Sequence, residues 1–435
     1  MKHTNINLLI DAFAVYPETK SSEGIVNSNW IAILNKSEKK VSVISAFKGL
    51  GQDGQAEELA LLKTVFTLSK KSAKTFGGFT FRLLQKIVLF GTGESNLFIR
   101  MWRKQHAQSL STYLDKNPLS LVWVRALPCH SLENILSIWQ KKPFAFIVNI
   151  NDPIDVETLE DITKSVPDTG DHRLLKRTQN CAQCWTFPSA KLATKISTLY
   201  GLDPKRCFVL PHASKDIDSK YTFPSEVRNI RFIYSGTFYR SAFSKNVQEE
   251  LRAFAQSSIG RKCDFLFLLS QYDNQSIEWL KSTFDKCTIK VGVTHEESLI
   301  HLQQSDCSIV IDGPMHSDLL KGKLTEAISF GIPILAITAA NSAMDKLVVE
   351  YGGVSANPEH PGNIKEKLFA VCEQFQQPAQ QKLFYDKRSE VISQLSEHLI
   401  QTKTNQLIEY AYKRFEWTIN HQSPEPSIPE LVQWP

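Results

Sequence analysis

The chain has 435 residues, 50 of them Lys or Arg and 45 Asp or Glu, for a formal net charge of +5. With 42 % hydrophobic and 22 % charged residues, the composition excludes an intrinsically disordered or fibrous chain, and the length suits two to three domains. So small an excess of positive charge does not point to nucleic acid as the partner, but the excess is concentrated. Residues 63–104 carry nine basic side chains against the single acid Glu94, a local +8 that leaves the remainder of the chain at −3. The eight cysteines are scattered, several within apolar runs such as Cys207-Phe-Val-Leu, as expected of buried free thiols in a reducing cytoplasm. The opening run Ile6-Asn-Leu-Leu-Ile-Asp11 is short, which suits a first strand better than a secretory leader. No apolar stretch approaches the roughly 18 residues of a membrane-spanning helix.

In chain order, the pattern alternates short β-rich runs with amphipathic helical segments, the sign of a parallel α/β architecture. Strands are predicted at Ile6–Ala12, Lys40–Phe47, Leu119–Ala126, Phe144–Asn151, Cys184–Phe187 and Cys207–His212, with helices such as Ser131–Gln140 and Ala190–Tyr200 between them. A polar, proline-broken stretch, Ser214–Ser225, reads as a linker. The alternation then restarts with strands at Ile230–Ser235, Asp264–Ser270, Thr288–Val293, Ser308–Asp312 and Ile332–Ile337. Helices are predicted at Val247–Ala255, Ser276–Phe284, Glu296–Gln304, Leu320–Phe330, Ala343–Tyr351 and Glu397–Phe415. The expected architecture is two Rossmann-like, doubly wound domains, 1–213 and 214–396, facing across a cleft, with 397–435 as a final helix and tail returning toward the first domain.

The second half carries the most informative segments. Arg231-Phe-Ile-Tyr-Ser-Gly236 is a strand ending in glycine, with Arg240 and Lys245 beyond it. Glycine there lets backbone amides approach a phosphate, and the two cations would neutralise a diphosphate; a solvated basic loop is the plainer alternative. Lys323 and Glu326 lie three apart near the start of one helix. A carboxylate so placed can accept from a ribose diol and the lysine can meet phosphate, although an exposed ion pair is the commoner fate of such a spacing.

The run Lys323-Leu-Thr-Glu326-Ala-Ile-Ser-Phe-Gly331-Ile-Pro333-Ile-Leu-Ala336 resembles the donor-site signature of GT-B glycosyltransferases of the glycosyltransferase 4 type. Tyr234-Ser-Gly236, Val291-Gly292-Val293-Thr-His-Glu-Glu and Phe208-Val-Leu-Pro211-His212 are similar to further family segments in the same order, and the likeness covers most of residues 205–355. Val122-Trp-Val-Arg-Ala-Leu-Pro128 and Asn151-Asp152-Pro153 resemble the acceptor-side strand pair more loosely. The resemblance implies transfer of a sugar from a nucleotide sugar to a glycan or lipid-linked acceptor, with retention, no cofactor and no obligatory metal. It also implies site roles. Glu326 would hold the ribose, Lys323 with Arg240 or Lys245 the diphosphate, the Gly292–Val293 turn the base, and Asp318, where the family carries glutamate, the donor sugar. Gly24 stands where the family places a glycine-rich acceptor loop. His130 and Asp152, at strand ends facing the cleft, are candidates for orienting or deprotonating the acceptor, or are turn residues. A catalytically inactive GT-B-like partner subunit and a nucleotide-sugar epimerase are the alternatives.

Other motifs carry less. Gly49-Leu-Gly51-Gln-Asp-Gly54 has the dinucleotide spacing after a predicted strand, but the acid expected about 20 residues on is missing, so a turn before a helix is the expectation. Cys181-Ala-Gln-Cys184 lacks a second pair for zinc, and Asp216-Ile-Asp218 falls in the linker. Within the basic segment, Phe79, Leu83, Ile87 and Phe90 share one helical face and Arg82 and Lys86 another. That pattern fits either a helix packed on its own domain or a peripheral contact with an anionic membrane surface from the cytoplasmic side.

Overall fold

The computed structural model describes residues 6–15, 22–36, 41–45, 48–50, 56–58, 97–126, 131–152, 169–212, 220–224, 228–238, 242–313, 317–420 and 425–429. Phe79, Arg82, Lys86 and Phe90 of the basic segment, together with His130, Arg240, Asp216 and Asp218, lie outside the described residues.

The first half contains β1 (Asn7–Ala12), α1 (Ser22–Asn35), β2 (Val41–Ile44), the antiparallel pair β3 (Lys48–Leu50) and β4 (Ala56–Glu58), and α2 (Leu97–Lys116). After these come β5 (Ser120–Arg125), α3 (Leu132–Lys141), β6 (Ala145–Asn149), α4 (Thr169–Thr178), β7 (Cys184–Phe187), α5 (Ala190–Tyr200) and β8 (Cys207–Val209). Six of its strands form one parallel sheet in the order β2-β1-β5-β6-β7-β8. The second half begins with β9 (Arg231–Gly236), α6 (Lys245–Ala255), β10 (Asp264–Leu269), α7 (Asn274–Thr283), β11 (Cys287–Val291), α8 (His295–Gln303) and β12 (Cys307–Ile311). It continues with α9 (Gly322–Phe330), β13 (Ile334–Ile337), α10 (Ala343–Tyr351), β14 (Val354–Ala356), α11 (Asn363–Gln374), α12 (Pro378–Gln394) and α13 (Glu397–Asn420). Its sheet is also parallel, ordered β11-β10-β9-β12-β13-β14.

Both sheets are covered by helices, so their central strands are apolar on both faces. Every residue of β5, β6, β7, β12 and β13 is buried. Each sheet has a point where successive strands leave in opposite directions, between β1 and β5 in the first and between β9 and β12 in the second. Ligands of open α/β sheets bind at the carboxyl ends of the strands flanking such a point.

Several predicted boundaries move for local reasons. The strand expected to reach His212 ends at Val209, just before Pro211, which has no amide to donate to a ladder. The helix expected from Leu320 starts at Gly322, because Lys321 keeps an extended backbone (ψ 138°) as its N-cap. Where a helix was expected after Gly54, residues 56–58 instead form β4, paired antiparallel with 48–50. The edge strand β14 has only three residues, too few to register as alternation in the sequence.

The last helix, α13, packs on α1 and β6. Phe208 meets Tyr410 edge-on at 5.5 Å, and Leu407, Ile408 and Ala411 share an apolar cluster with Leu8, Trp30 and Ile147. The chain therefore crosses back to the first sheet, and burial of apolar area ties the two halves together. No helix among the described residues is long and apolar enough to cross a membrane.

In the second half, Glu250 of α6 serves as a remote cap. Its buried carboxylate accepts from the backbone amides of Gly362 (2.9 Å), Ile364 (2.7 Å) and Lys365 (3.1 Å) at the start of α11. A negative charge on otherwise orphaned amides at a helix N-terminus is strongly favourable. Glu250→Ala is expected to cost about 2–3 kcal/mol, read as a lower thermal midpoint with unchanged secondary structure below the transition; an unchanged midpoint contradicts the assignment.

Candidate functional site

The start of α9 is held over the crevice between β9 and β12. At one side Lys321 Nζ donates to the Ile311 carbonyl (2.8 Å) and pairs with the buried Asp312 (3.1 Å), both at the end of β12. At the other side Lys323 Nζ donates to the Ser235 carbonyl at the end of β9. Gly236 closes that strand with φ 149°, and a Cβ there would overlap Lys323 Nζ. The backbone conformation therefore favours glycine at 236, and any side chain there would have to displace the end of Lys323. Burial draws the Lys323 pKa down to about 8, against the pull of Glu326 in the opposite direction. Lysine and carboxylate are thus brought together at the strand ends of the switch point.

Glu326 is met by His295, with Nε2 2.8 Å from Oε1. His295 opens α8, where Thr294 and Glu297 exchange the two hydrogen bonds of a capping box (3.1 and 2.8 Å). Just upstream Gly292 has φ 70°, a left-handed turn with open space where a Cβ would stand. The turn at Gly292 and Val293 therefore joins β11 to the helix carrying His295. Lys245 is placed differently: it is almost fully exposed in the first turn of α6, 3.6 Å from Glu249, and makes no contact with the Lys323–Glu326 pair.

The facing half presents its own switch point, at the ends of β1 and β5. Arg125, the last residue of β5, is buried and donates from Nε to Asn27 Oδ1 (2.6 Å), while Asn27 Nδ2 donates to the Ala14 carbonyl (2.7 Å). Burial lowers the Arg125 pKa to about 10, with Glu23 and Asp152 opposing that shift. Asn151 Nδ2 donates to both oxygens of Glu23 (3.0 and 2.9 Å). Beside it the Asp152 carboxyl is pushed up to about 7, mainly by burial and then by the Glu23 charge, with Arg125 and Lys321 pulling the other way. His212 is held neutral at pH 7, its pKa lowered to about 4 by burial and by Arg125, and it bonds the Leu320 backbone. Gly24, expected in a loop, lies buried within the first turn of α1.

Asp318 lies in the seam between the halves. Its carboxylate pairs with Lys195 (3.1 Å) and Lys191 (3.7 Å) of α5, and Ser189 Oγ donates to its carbonyl (2.7 Å). Lys191 Nζ also reaches the Asn341 carbonyl (3.4 Å). The acid expected at the donor sugar is therefore engaged by lysines of the opposite half.

Sequence reasoning assigned no role to His295, Arg125, Asn27, Glu23 or Lys195. Arg125 had a signal, a charge ending an otherwise apolar buried strand. The partners Asn27, Glu23 and Lys195 come from distant segments and had none. Among the described residues, no group of three or more His, Cys, Asp or Glu is placed to hold a metal ion.

No family model matches the chain, and no curated protein matches it in sequence. Solved structures do. A glycosyltransferase from Rickettsia africae aligns with TM-score 0.61 at 11 % identity, over 94 % of this chain and 100 % of its own. Sucrose-phosphate synthase from Thermosynechococcus elongatus gives 0.61 at 13 % identity, over 93 % and 98 %. HepE from Anabaena, solved in complex with UDP, gives 0.59 at 11 % identity, over 93 % and 100 %. The chain therefore has the GT-B fold of these glycosyltransferases, two Rossmann-like domains forming a cleft.

The seam can be tested directly. Lys195→Glu sets like charges against Asp318 and is expected to lower the melting temperature by about 1 °C, the effect of ~1 kcal/mol in a chain of this size. The loss should be greater at low than at high ionic strength. A melting temperature unchanged at both salt concentrations contradicts the pairing.

Proposed function

We propose that the protein is a glycosyltransferase, transferring a sugar from a nucleotide-sugar donor on the second half to a glycan or lipid-linked acceptor on the first. The reading rests above all on the placement of Lys323 and Glu326 together, at the start of α9 and over the β9/β12 switch point. Such a site suits a nucleoside diphosphate. Lys323 supplies charge to the leaving diphosphate, Glu326 accepts from a ribose hydroxyl, and the Gly292–Val293 turn lies where a base can rest. Positive charge fixed in place before reaction is the largest contribution such a site can make, because it costs no reorganisation as the diphosphate departs.

On the acceptor side, Asp152 is the group suited to take a proton, since its pKa of about 7 leaves it partly ionised at neutral pH. Retention at the anomeric carbon follows from the sequence resemblance and forms part of the same reading. The engagement of Asp318 by Lys195 favours a second reading, a GT-B-shaped partner subunit without transfer activity.

A panel of nucleotide sugars in thermal-shift and product assays separates the two. The enzyme reading expects stabilisation by one nucleotide family and transfer that Glu326→Ala abolishes while the fold is retained. Stabilisation by none of the panel at millimolar concentration, or unchanged turnover in Glu326→Ala, would sink it.

Lys323 adds a pH dependence. Its charged form, which pairs with diphosphate, predominates below about pH 8 in the free protein. Binding above that pH must take up a proton, so nucleoside-diphosphate affinity should fall roughly tenfold between pH 7 and pH 9. Calorimetry across that range would show a flat affinity if Lys323 is not a ligand.

A further inference from the structure

The Glu326 carboxylate does not stand alone. His295 Nε2 lies 2.8 Å from Oε1, and the two side chains are similarly sheltered, 17 % and 18 % exposed. A carboxylate only accepts, so the hydrogen of this bond belongs to His295, and the imidazole carries its proton on Nε2. The imidazole is itself fixed. His295 is the first residue of α8, whose start is set by the Thr294–Glu297 capping box, and the left-handed turn at Gly292 brings the chain into that box. Ser298, one turn further along α8, bonds Ser235 of β9 at 3.0 Å, so α8 is anchored to the same strand end that receives Lys323. The helices α8 and α9 thus meet at one carboxylate and are both anchored to the end of β9, while among the described residues Oε2 receives no hydrogen bond.

We propose that His295 is a positioning residue for nucleotide recognition. It holds Oε1 of Glu326 and so presents Oε2 to a single ribose hydroxyl, which makes the site selective for ribonucleotides over the deoxy forms. The inference rests on the reading of this site as a nucleotide-sugar donor site, and goes beyond it by assigning ribose discrimination to a residue on a different helix from the carboxylate. A histidine that merely starts α8 would affect stability and all ligands alike. A histidine that aims Glu326 is energetically coupled to the ribose hydroxyl.

The experiment uses the full chain and calorimetric titration with UDP, GDP and ADP, followed by the 2′-deoxy and 3′-deoxy analogues of whichever binds tightest. Wild type is expected to disfavour one deoxy analogue by roughly tenfold, the loss of one hydrogen bond to a charged group. His295→Ala should shrink that ratio to about threefold or less, mainly through weaker binding of the ribose form, while His295→Gln, which keeps a donor, should restore most of it. Discrimination unchanged in His295→Ala, equal weakening of ribose and deoxy ligands, or no discrimination in wild type overturns the assignment of His295 alone. Failure of wild type to bind any of the three diphosphates at millimolar concentration overturns the donor-site reading, and this inference with it.

Discussion

The contact between the segment 317–321 and the first half is the constraint on which the rest of the arrangement depends. Leu319 is counted among the apolar core of the first half, with Val124, Leu132 and Phe187. On either side of it Asp318 is tied to Lys195 and Ser189, and the Leu320 backbone meets His212. Helix α9 begins at Gly322, and its N-cap Lys321 and first-turn Lys323 grip the ends of β12 and β9. One short connection therefore both joins the halves and sets the entry of the helix bearing Lys323 and Glu326. Because a side chain from one half is buried in the other, the cleft geometry is linked to hydrophobic burial as well as to surface charge.

The electrostatics of the cleft follow from the same arrangement. On the second half, Lys321 and Lys323 are drawn over strand ends, where carbonyls and Asp312 partly compensate their charge. On the first half, Arg125 compensates Glu23 and Asp152, and its proximity helps to keep His212 neutral. In the second half, burial lowers the Lys323 pKa to about 8. In the first half, burial raises the Asp152 pKa to about 7. Opposed groups with pKa values moved toward each other suit chemistry in which one side receives a proton while the other stabilises a departing anion.

Much of the fold was legible because parallel strands buried on both faces read as near-continuous apolar runs. Cys184–Phe187, Ala190–Tyr200 and Ala343–Tyr351 have the predicted bounds, and most other elements differ by a residue or two at their ends. The end of β9 and the start of α9 were legible for a related reason. Lys323, Glu326 and Gly236 are tied to local features, an i,i+3 spacing and a strand-ending glycine, that survive in a one-dimensional reading. Placements that depend on distant segments were not. Gly24 was expected in a loop and lies in α1, and Asp318 was assigned to the donor sugar but faces Lys195.

By itself the sequence determined the alternation of elements, the restart of the pattern after the linker, and the residue types at the end of β9 and the start of α9. These follow from side-chain periodicity and backbone preference, which act over a few residues. Only the tertiary structure decided that His295 would meet Glu326 across 31 positions, that Arg125 would meet Asn27 across 98, and that Asp318 would serve the seam. Those pairings depend on which helix packs over which strand end, and a carboxylate has the same local character whether its partner is a ligand, a histidine or a lysine of the opposite half.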